Sequence, residues 1–141
     1  MIDLSRRAVL AGAGLAAATP VLAQAPAQDW QALAAEVKAE MRWAWHQYRA
    51  RAWGQDQIRP VSGTGQSFLI PRHSVALSMV EALDTLWLMG LDAELEDAVR
   101  WLRLHLRFDI DGDAQAFEAS IRLVGGLLSG HLATGERRLP T

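Results

Sequence analysis

From Asp29 onward, apolar residues recur at the three- and four-residue steps of an α-helix rather than at the alternate positions of a strand. Asp29 can cap the first helix, because its carboxylate can accept hydrogen bonds from the unpaired backbone N–H groups of the first turn. The pattern predicts that this helix runs to Gly54 and is apolar on one face. The positions that define this face are Leu33, Val37, Met41, Ala44, Trp45 and Tyr48.

A loop is predicted over residues 60–71, which are rich in the Pro, Gly, Ser and Thr residues that favour turns. The second helix is predicted from about His73 to Met89. It ends at Gly90, because glycine suits the left-handed position that follows a helix. No segment shows the strict alternation of apolar and polar residues that would indicate a sheet.

Two more helices complete the pattern. Asp92 is predicted to cap the third, whose apolar residues keep to one side. The fourth is predicted over residues 114–132, with an interruption at Gly125 and Gly126. Glycine costs about 1 kcal/mol relative to alanine inside a helix, so close backbone packing or a local bend is expected there.

The fold class predicted from these four helices is all-α. The second and fourth helices are apolar around most of their circumference, whereas the first and third are amphipathic. This difference favours an inner and an outer layer of helices, as in a barrel of helix pairs, over a simple bundle.

Residues 1–25 are predicted to be an export signal. Ser5-Arg6-Arg7 precedes an apolar run, and Ala23-Gln24-Ala25 offers the small residues that signal peptidase accepts. The paired arginines are similar to those of a twin-arginine signal. The run is shorter than the ~20 residues that span a bilayer, so no stable membrane anchor is expected after cleavage. We therefore expect a periplasmic or secreted product, whose residues 26–141 form the folded part.

Charge and composition narrow the classes of partner. The 14 basic and 16 acidic residues give a net charge of -2, which provides no general attraction for nucleic acid or anionic lipid. The absence of cysteine excludes disulfides, thiolate nucleophiles and cysteine-ligated zinc.

The acidic segment Asp109–Asp113 resembles the start of a calcium-binding loop. Such a loop needs glycine at its sixth position and an acidic residue at its twelfth, where this chain has Ala114 and Ser120. The segment is therefore interpreted as an acidic turn. The histidines show no paired ligand spacing, and no metal-ligating residue is assigned.

Glu118 and Arg122 are the candidate site residues. Their four-residue spacing places them on one face of a helix that is otherwise rich in Ile, Leu, Val and Gly. Two interpretations are open on spacing alone. The pair can be a partly buried ion pair, or Glu118 can be a carboxyl that protonates a leaving group while Arg122 orients a hydroxylated substrate.

Four blocks in order resemble the class I α-1,2-mannosidases, glycoside hydrolase family 47. The segment from Val37 to Pro60 is similar to the opening block of that family. Glu81–Leu91 resembles its D-x-L-D-T-L-Y-I-M-G-L block. Phe117–Arg122 and Gly125–Ser129 resemble its F-E-T-T-I-R-x-x-G-G-L-L-S block. Together the blocks cover essentially all of the chain after Asp29.

The resemblance implies a barrel of seven helix pairs and calcium-dependent hydrolysis of α-1,2-linked mannose with inversion. The expected partner is therefore a mannose-containing oligosaccharide. The resemblance assigns Glu118 as general acid and Arg122 as a mannose-binding residue. The sequence departs from the family at Glu81, which replaces an Asp, at Trp43, which replaces a His, and at Ala119-Ser120, which replace two threonines.

The family's general base and its calcium-binding Thr have no counterpart in this sequence. Four helices cannot close a barrel of seven pairs, so we expect the N-terminal part of a catalytic domain that is inactive alone. Two alternatives stay open: a non-catalytic all-α binding or scaffold module derived from the family, and a different helical-barrel hydrolase or epimerase.

Overall fold

The computed structural model describes residues 28–135, most of which are helical. The all-α prediction is confirmed except for one small hairpin. The predicted export signal lies outside the described residues. The elements are α1 (Trp30–Ala52), β1 (Gln57–Arg59), β2 (Thr64–Gln66), α2 (Leu77–Leu88), α3 (Asp92–His105), α4 (Ala116–Glu118), a π-helical turn (Ala119–Val124) and α5 (Gly125–Thr134). Between residues 28 and 135 no helix is both long enough and apolar enough to cross a membrane.

Helix α1 begins as predicted. An Asp29 carboxylate oxygen accepts hydrogen bonds from the backbone N–H groups of Gln31 at 3.0 Å and Ala32 at 2.9 Å. The predicted apolar face is buried only in the C-terminal half of the helix, at Trp45 and Tyr48. Leu33, Val37 and Ala44 are exposed, whereas Met41 is half-buried against the core.

The hairpin corrects the prediction that no sheet is present. Strands β1 and β2 pair antiparallel, with Gln57 opposite Gln66 and Arg59 opposite Thr64. Each strand has three residues, which is too short to show a period of two in the sequence. Gly63 supports the turn between them with a φ of 67°, in the left-handed region that favours glycine.

Helix α2 begins at Leu77, four residues later than predicted. The buried carboxylate of Asp56 accepts hydrogen bonds from the backbone N–H groups of Val75 at 2.7 Å and Leu77 at 3.2 Å. Ala76, between them, has a φ of 55°. A residue from a distant segment thus caps α2 and holds the preceding residues out of the helix.

The other predicted helix starts shift by one or two residues. Asp92 is the first residue of α3, and its side chain makes no capping hydrogen bond. Its carboxylate still lies in the first turn, where a negative charge stabilises a helix. The fourth predicted helix begins at Ala116 and continues as α4, the π-helical turn and α5 to Thr134. Gly125 and Gly126 do not interrupt it.

Helix α2 forms the centre of the core. It packs against α3 and against α5, and its buried residues are Leu77, Met79, Val80, Leu83 and Leu86. The two α5 glycines that face it allow a close approach. A Cβ on Gly126 would lie 2.9 Å from the Val80 carbonyl oxygen, and one on Gly130 would lie 2.4 Å from Leu83 Cδ1. The predicted close backbone packing is therefore confirmed at Gly126.

The opposite side of the fourth helical segment is exposed. Its apolar side chains recur at three- and four-residue steps, and we call this surface the outer apolar stripe. Its members are Phe117, Ile121, Val124, Leu128 and Leu132. All five are more than half exposed.

Candidate functional site

Glu118 and Arg122 form an ion pair at the surface, as their spacing predicts. The Nε of Arg122 donates a hydrogen bond to Glu118 Oε2 at 2.5 Å. The Glu118 side chain is 22% exposed and that of Arg122 is 38% exposed. Both groups can therefore contact a ligand from solvent while remaining paired.

The pair lies where the helix widens. The π-helical turn starts directly after Glu118 and contains Arg122. Its last hydrogen bond is donated by the Gly125 N–H to the carbonyl oxygens of Ser120 and Arg122. The Ser120 hydroxyl also donates to the Ala116 carbonyl oxygen at 2.7 Å. Single π-helical turns within α-helices occur frequently at functional sites.

Glu81 of α2 is a third member of the site, and sequence reasoning did not assign it a role. Both of its carboxylate oxygens lie 3.4 Å from Nη1 of Arg122. The contact joins residues 41 positions apart, so no local spacing indicates it. The available signal was weak: Glu81 is one of two carboxylates, with Asp84, in a mainly apolar second helix.

Phe68 covers one face of the guanidinium group. The centre of its ring lies 5.2 Å from Cζ of Arg122, within the range of a cation–π interaction. The Phe68 N–H donates to the second carboxylate oxygen of Asp56 at 2.8 Å. Sequence reasoning placed Phe68 in a loop and did not connect it with Arg122.

The electrostatics of the site favour a permanently charged arginine. The hydrogen bond that Arg122 donates to Glu118, followed by the charge of Glu81, raises the pKa of Arg122 above its ordinary value. Two carboxylates thus share one guanidinium cation. Within the described residues, Nη2 of Arg122 has no hydrogen-bond partner. It remains available to a hydroxyl of a ligand.

A metal-binding cluster is not found among residues 28–135, where no three His, Asp or Glu side chains come together in a suitable group. The acidic turn Asp109–Asp113 is exposed at all three of its aspartates. The described residues therefore do not fit the calcium ion that the family resemblance implies.

The family model for glycosyl hydrolase family 47 matches residues 40–140. The chain belongs to this family. The matched region includes Glu81, Glu118 and Arg122. Membership decides against the alternative of an unrelated helical-barrel hydrolase or epimerase.

Curated relatives of this family 47 chain are mannosidases. It is 37% identical over 102 residues to mannosyl-oligosaccharide 1,2-alpha-mannosidase IA of Sus scrofa, covering 72% of this chain and 16% of the relative. It is 40% identical over 93 residues to the endoplasmic reticulum mannosyl-oligosaccharide 1,2-alpha-mannosidase of Homo sapiens, covering 66% of this chain and 13% of the relative.

A solved structure has the same fold over most of the chain. The alpha-1,2-mannosidase from Trichoderma reesei matches with a TM-score of 0.65 and 27% identity, covering 79% of this chain and 23% of that chain. The predicted helical architecture, part of an α/α barrel, is thereby confirmed. The chain spans less than a fifth of the length of either curated relative.

Proposed function

We propose that this chain contributes the proton-donor side of an α-1,2-mannosidase site. Glu118 is the general acid that protonates the glycosidic oxygen, and Arg122 binds a hydroxyl of the mannose through its free Nη2. The observation that carries the proposal is the partly exposed Glu118–Arg122 pair, which lies on a π-helical turn within the region that matches the family. The substrate is proposed to be a mannose-containing oligosaccharide.

Inverting hydrolysis needs a second carboxylate, about 6.5–9.5 Å from the acid, to activate water on the opposite side of the sugar. Glu81 is engaged with Arg122, so we do not assign it this role. The base and the calcium ligands are proposed to come from residues other than those described. Residues 28–135 alone are accordingly expected to be inactive. Calcium dependence is supported only by family membership.

Export to the periplasm or medium is also part of the proposal. It is supported only by the predicted signal in residues 1–25. The intact mass of the exported protein should correspond to a start near Gln24 or Pro26. A cytosolic protein that begins at Met1 would contradict this part of the proposal.

The acid assignment is tested by hydrolysis of α-1,2-mannobiose by the complete gene product. Glu118→Gln should lower kcat by about 10²- to 10⁴-fold, since the amide cannot supply the proton. Arg122→Lys should mainly raise KM, because lysine lacks the planar fork of donors. NMR of the first product formed should show β-mannose if the reaction inverts.

Glu94→Gln is the matched control. Glu94 pairs with Arg42 at 3.2 Å between α3 and α1, outside the proposed site, so its loss should leave kcat unchanged. Retention of most turnover by Glu118→Gln would contradict the acid assignment. Binding of mannobiose without turnover in the unaltered gene product would favour the non-catalytic binding module.

A further inference from the structure

Arg122 is held from three separate elements of the fold. Glu118, on its own helical segment, accepts from Nε. Glu81, on α2, faces Nη1, and the Phe68 ring covers one face of the guanidinium. A helical ion pair at four-residue spacing on a surface is weak and leaves a long side chain several rotamers. The contacts from α2 and Phe68 are therefore the ones that can select one orientation.

The backbone next to Glu81 is packed closely enough to hold this carboxylate near Arg122. Val80, the residue before Glu81, lies against Gly126. A Cβ added at position 126 would be 2.9 Å from the Val80 carbonyl oxygen. The two helices thus approach each other closely one residue from Glu81 and four residues from Arg122. This contact fixes the separation of the carboxylate and the guanidinium, so Glu81 does not depend on a flexible loop to reach its partner.

Protonation of Glu118 creates a need for a second carboxylate. A carboxyl that donates its proton must be neutral beforehand, and a neutral carboxyl is a weaker partner for a guanidinium than a carboxylate is. Glu81 offers Arg122 another acidic partner through a different nitrogen. The arginine can then keep its position while Glu118 exchanges its proton.

We propose that Glu81 is a positioning residue, which holds the guanidinium of Arg122 so that its Nη2 edge is presented to the sugar. This inference rests on the proposed function of Arg122 in mannose binding. Glu81 acts through Arg122 and touches no reacting atom. Phe68 supports the same orientation from the face of the guanidinium.

The first test is a spectroscopic one and does not require activity. NMR of the 15N-labelled chain should show the Arg122 Nε–Hε signal, identified by its loss in Arg122→Lys, with slow rotation about the Cζ–N bonds. In Glu81→Gln, which keeps the shape but removes the charge, that rotation should accelerate. Glu81→Asp should restore part of the restriction. The matched control Glu94→Gln should leave the Arg122 signal unchanged.

The second test is the affinity of the same variants for α-1,2-mannobiose, together with kcat and KM of the complete gene product. Glu81→Gln should weaken binding about tenfold, the effect of losing one hydrogen bond to a charged group. The affinity of Glu81→Asp should lie between that of Glu81→Gln and that of the unaltered protein. Circular dichroism should show an unchanged fold, because the Glu81 side chain is exposed.

The outcomes separate the two proposals. An unchanged Arg122 signal in Glu81→Gln, or an altered signal with unchanged sugar affinity, would overturn the positioning role. If the unaltered protein neither binds nor hydrolyses mannobiose, the proposed function fails. The NMR comparison still decides whether Glu81 orients Arg122.

Discussion

Val80 of α2 and Gly126 of α5 lie in direct backbone contact, so close that a Cβ at position 126 would be 2.9 Å from the Val80 carbonyl oxygen. Real Cβ atoms essentially never approach a carbonyl oxygen this closely, and the backbone of a core helix cannot easily move away. The contact lies beside both Glu81 and Arg122. It therefore links the packing of the core to the position of the candidate site.

Gly126→Ala is expected to destabilise the fold by about 1–3 kcal/mol, the usual cost of overpacking a core. The intrinsic preference of a helix for alanine, about 1 kcal/mol, only partly offsets this cost. Urea unfolding followed by circular dichroism measures the change. Gly125→Ala is the matched control, since a Cβ there would meet only the Ser120 carbonyl oxygen at an ordinary 3.6 Å. Equal effects at both positions would contradict the close-contact explanation.

Asp56→Ala is expected to cost about 3–5 kcal/mol, because it removes a buried charged acceptor and leaves its backbone donors unpaired. The four N–H groups concerned are those of Phe68, Leu69, Val75 and Leu77. Asp29→Ala provides the comparison, since it removes an exposed helix cap worth about 1 kcal/mol. Thermal unfolding of the two variants should differ accordingly. A cost at Asp56 no larger than that at Asp29 would show that the buried carboxylate does not organise this segment.

The outer apolar stripe is expected to cause self-association of residues 28–135. The five stripe residues are more than half exposed, whereas Leu83, Leu86 and Leu127 are buried in the core. An apolar surface larger than a few hundred Å² commonly mediates association. Light scattering of this segment should give a molar mass above that of a monomer. Leu128→Glu should lower it, whereas Leu104→Glu, at an exposed position on α3, should not. A monomeric segment would contradict the prediction.

Asp97→Asn is expected to change the pH dependence of stability on the acidic side. A hydrogen bond from Arg49, with further contributions from Arg100, holds the pKa of Asp97 below its ordinary value. A lowered folded-state pKa stabilises the fold above the unfolded pKa of about 4, and this stabilisation is lost as the pH falls through the folded value. The variant should therefore be less stable than the unaltered chain at pH 7 and equal to it in strong acid.

Urea unfolding between about pH 7 and pH 2 measures this difference, and added salt should reduce it because the ion pair is exposed. Asp111→Asn is the control, since within the described residues Asp111 has no side-chain partner. A difference between Asp97→Asn and the unaltered chain that does not change with pH would contradict the assignment.

Local features of the fold follow from the sequence by itself. The Asp29 cap, the four helical segments and the pairing of Glu118 with Arg122 each depend on residues within one or two helical turns. Interactions of this range are determined by spacing and side-chain chemistry alone, so periodicity is sufficient to predict them. The ordered blocks that resemble family 47 are likewise visible without coordinates, and the family match confirms them.

Tertiary structure alone decided the features that depend on distant residues. Asp56 caps a helix that begins 21 residues later, and Glu81 meets an arginine 41 residues away. Neither contact leaves a periodic signal, because the distance along the chain is unrelated to the distance in space. Which apolar residues are buried was decided in the same way: α5 can turn only one side toward α2, and the close approach at Gly126 and Gly130 selects that side.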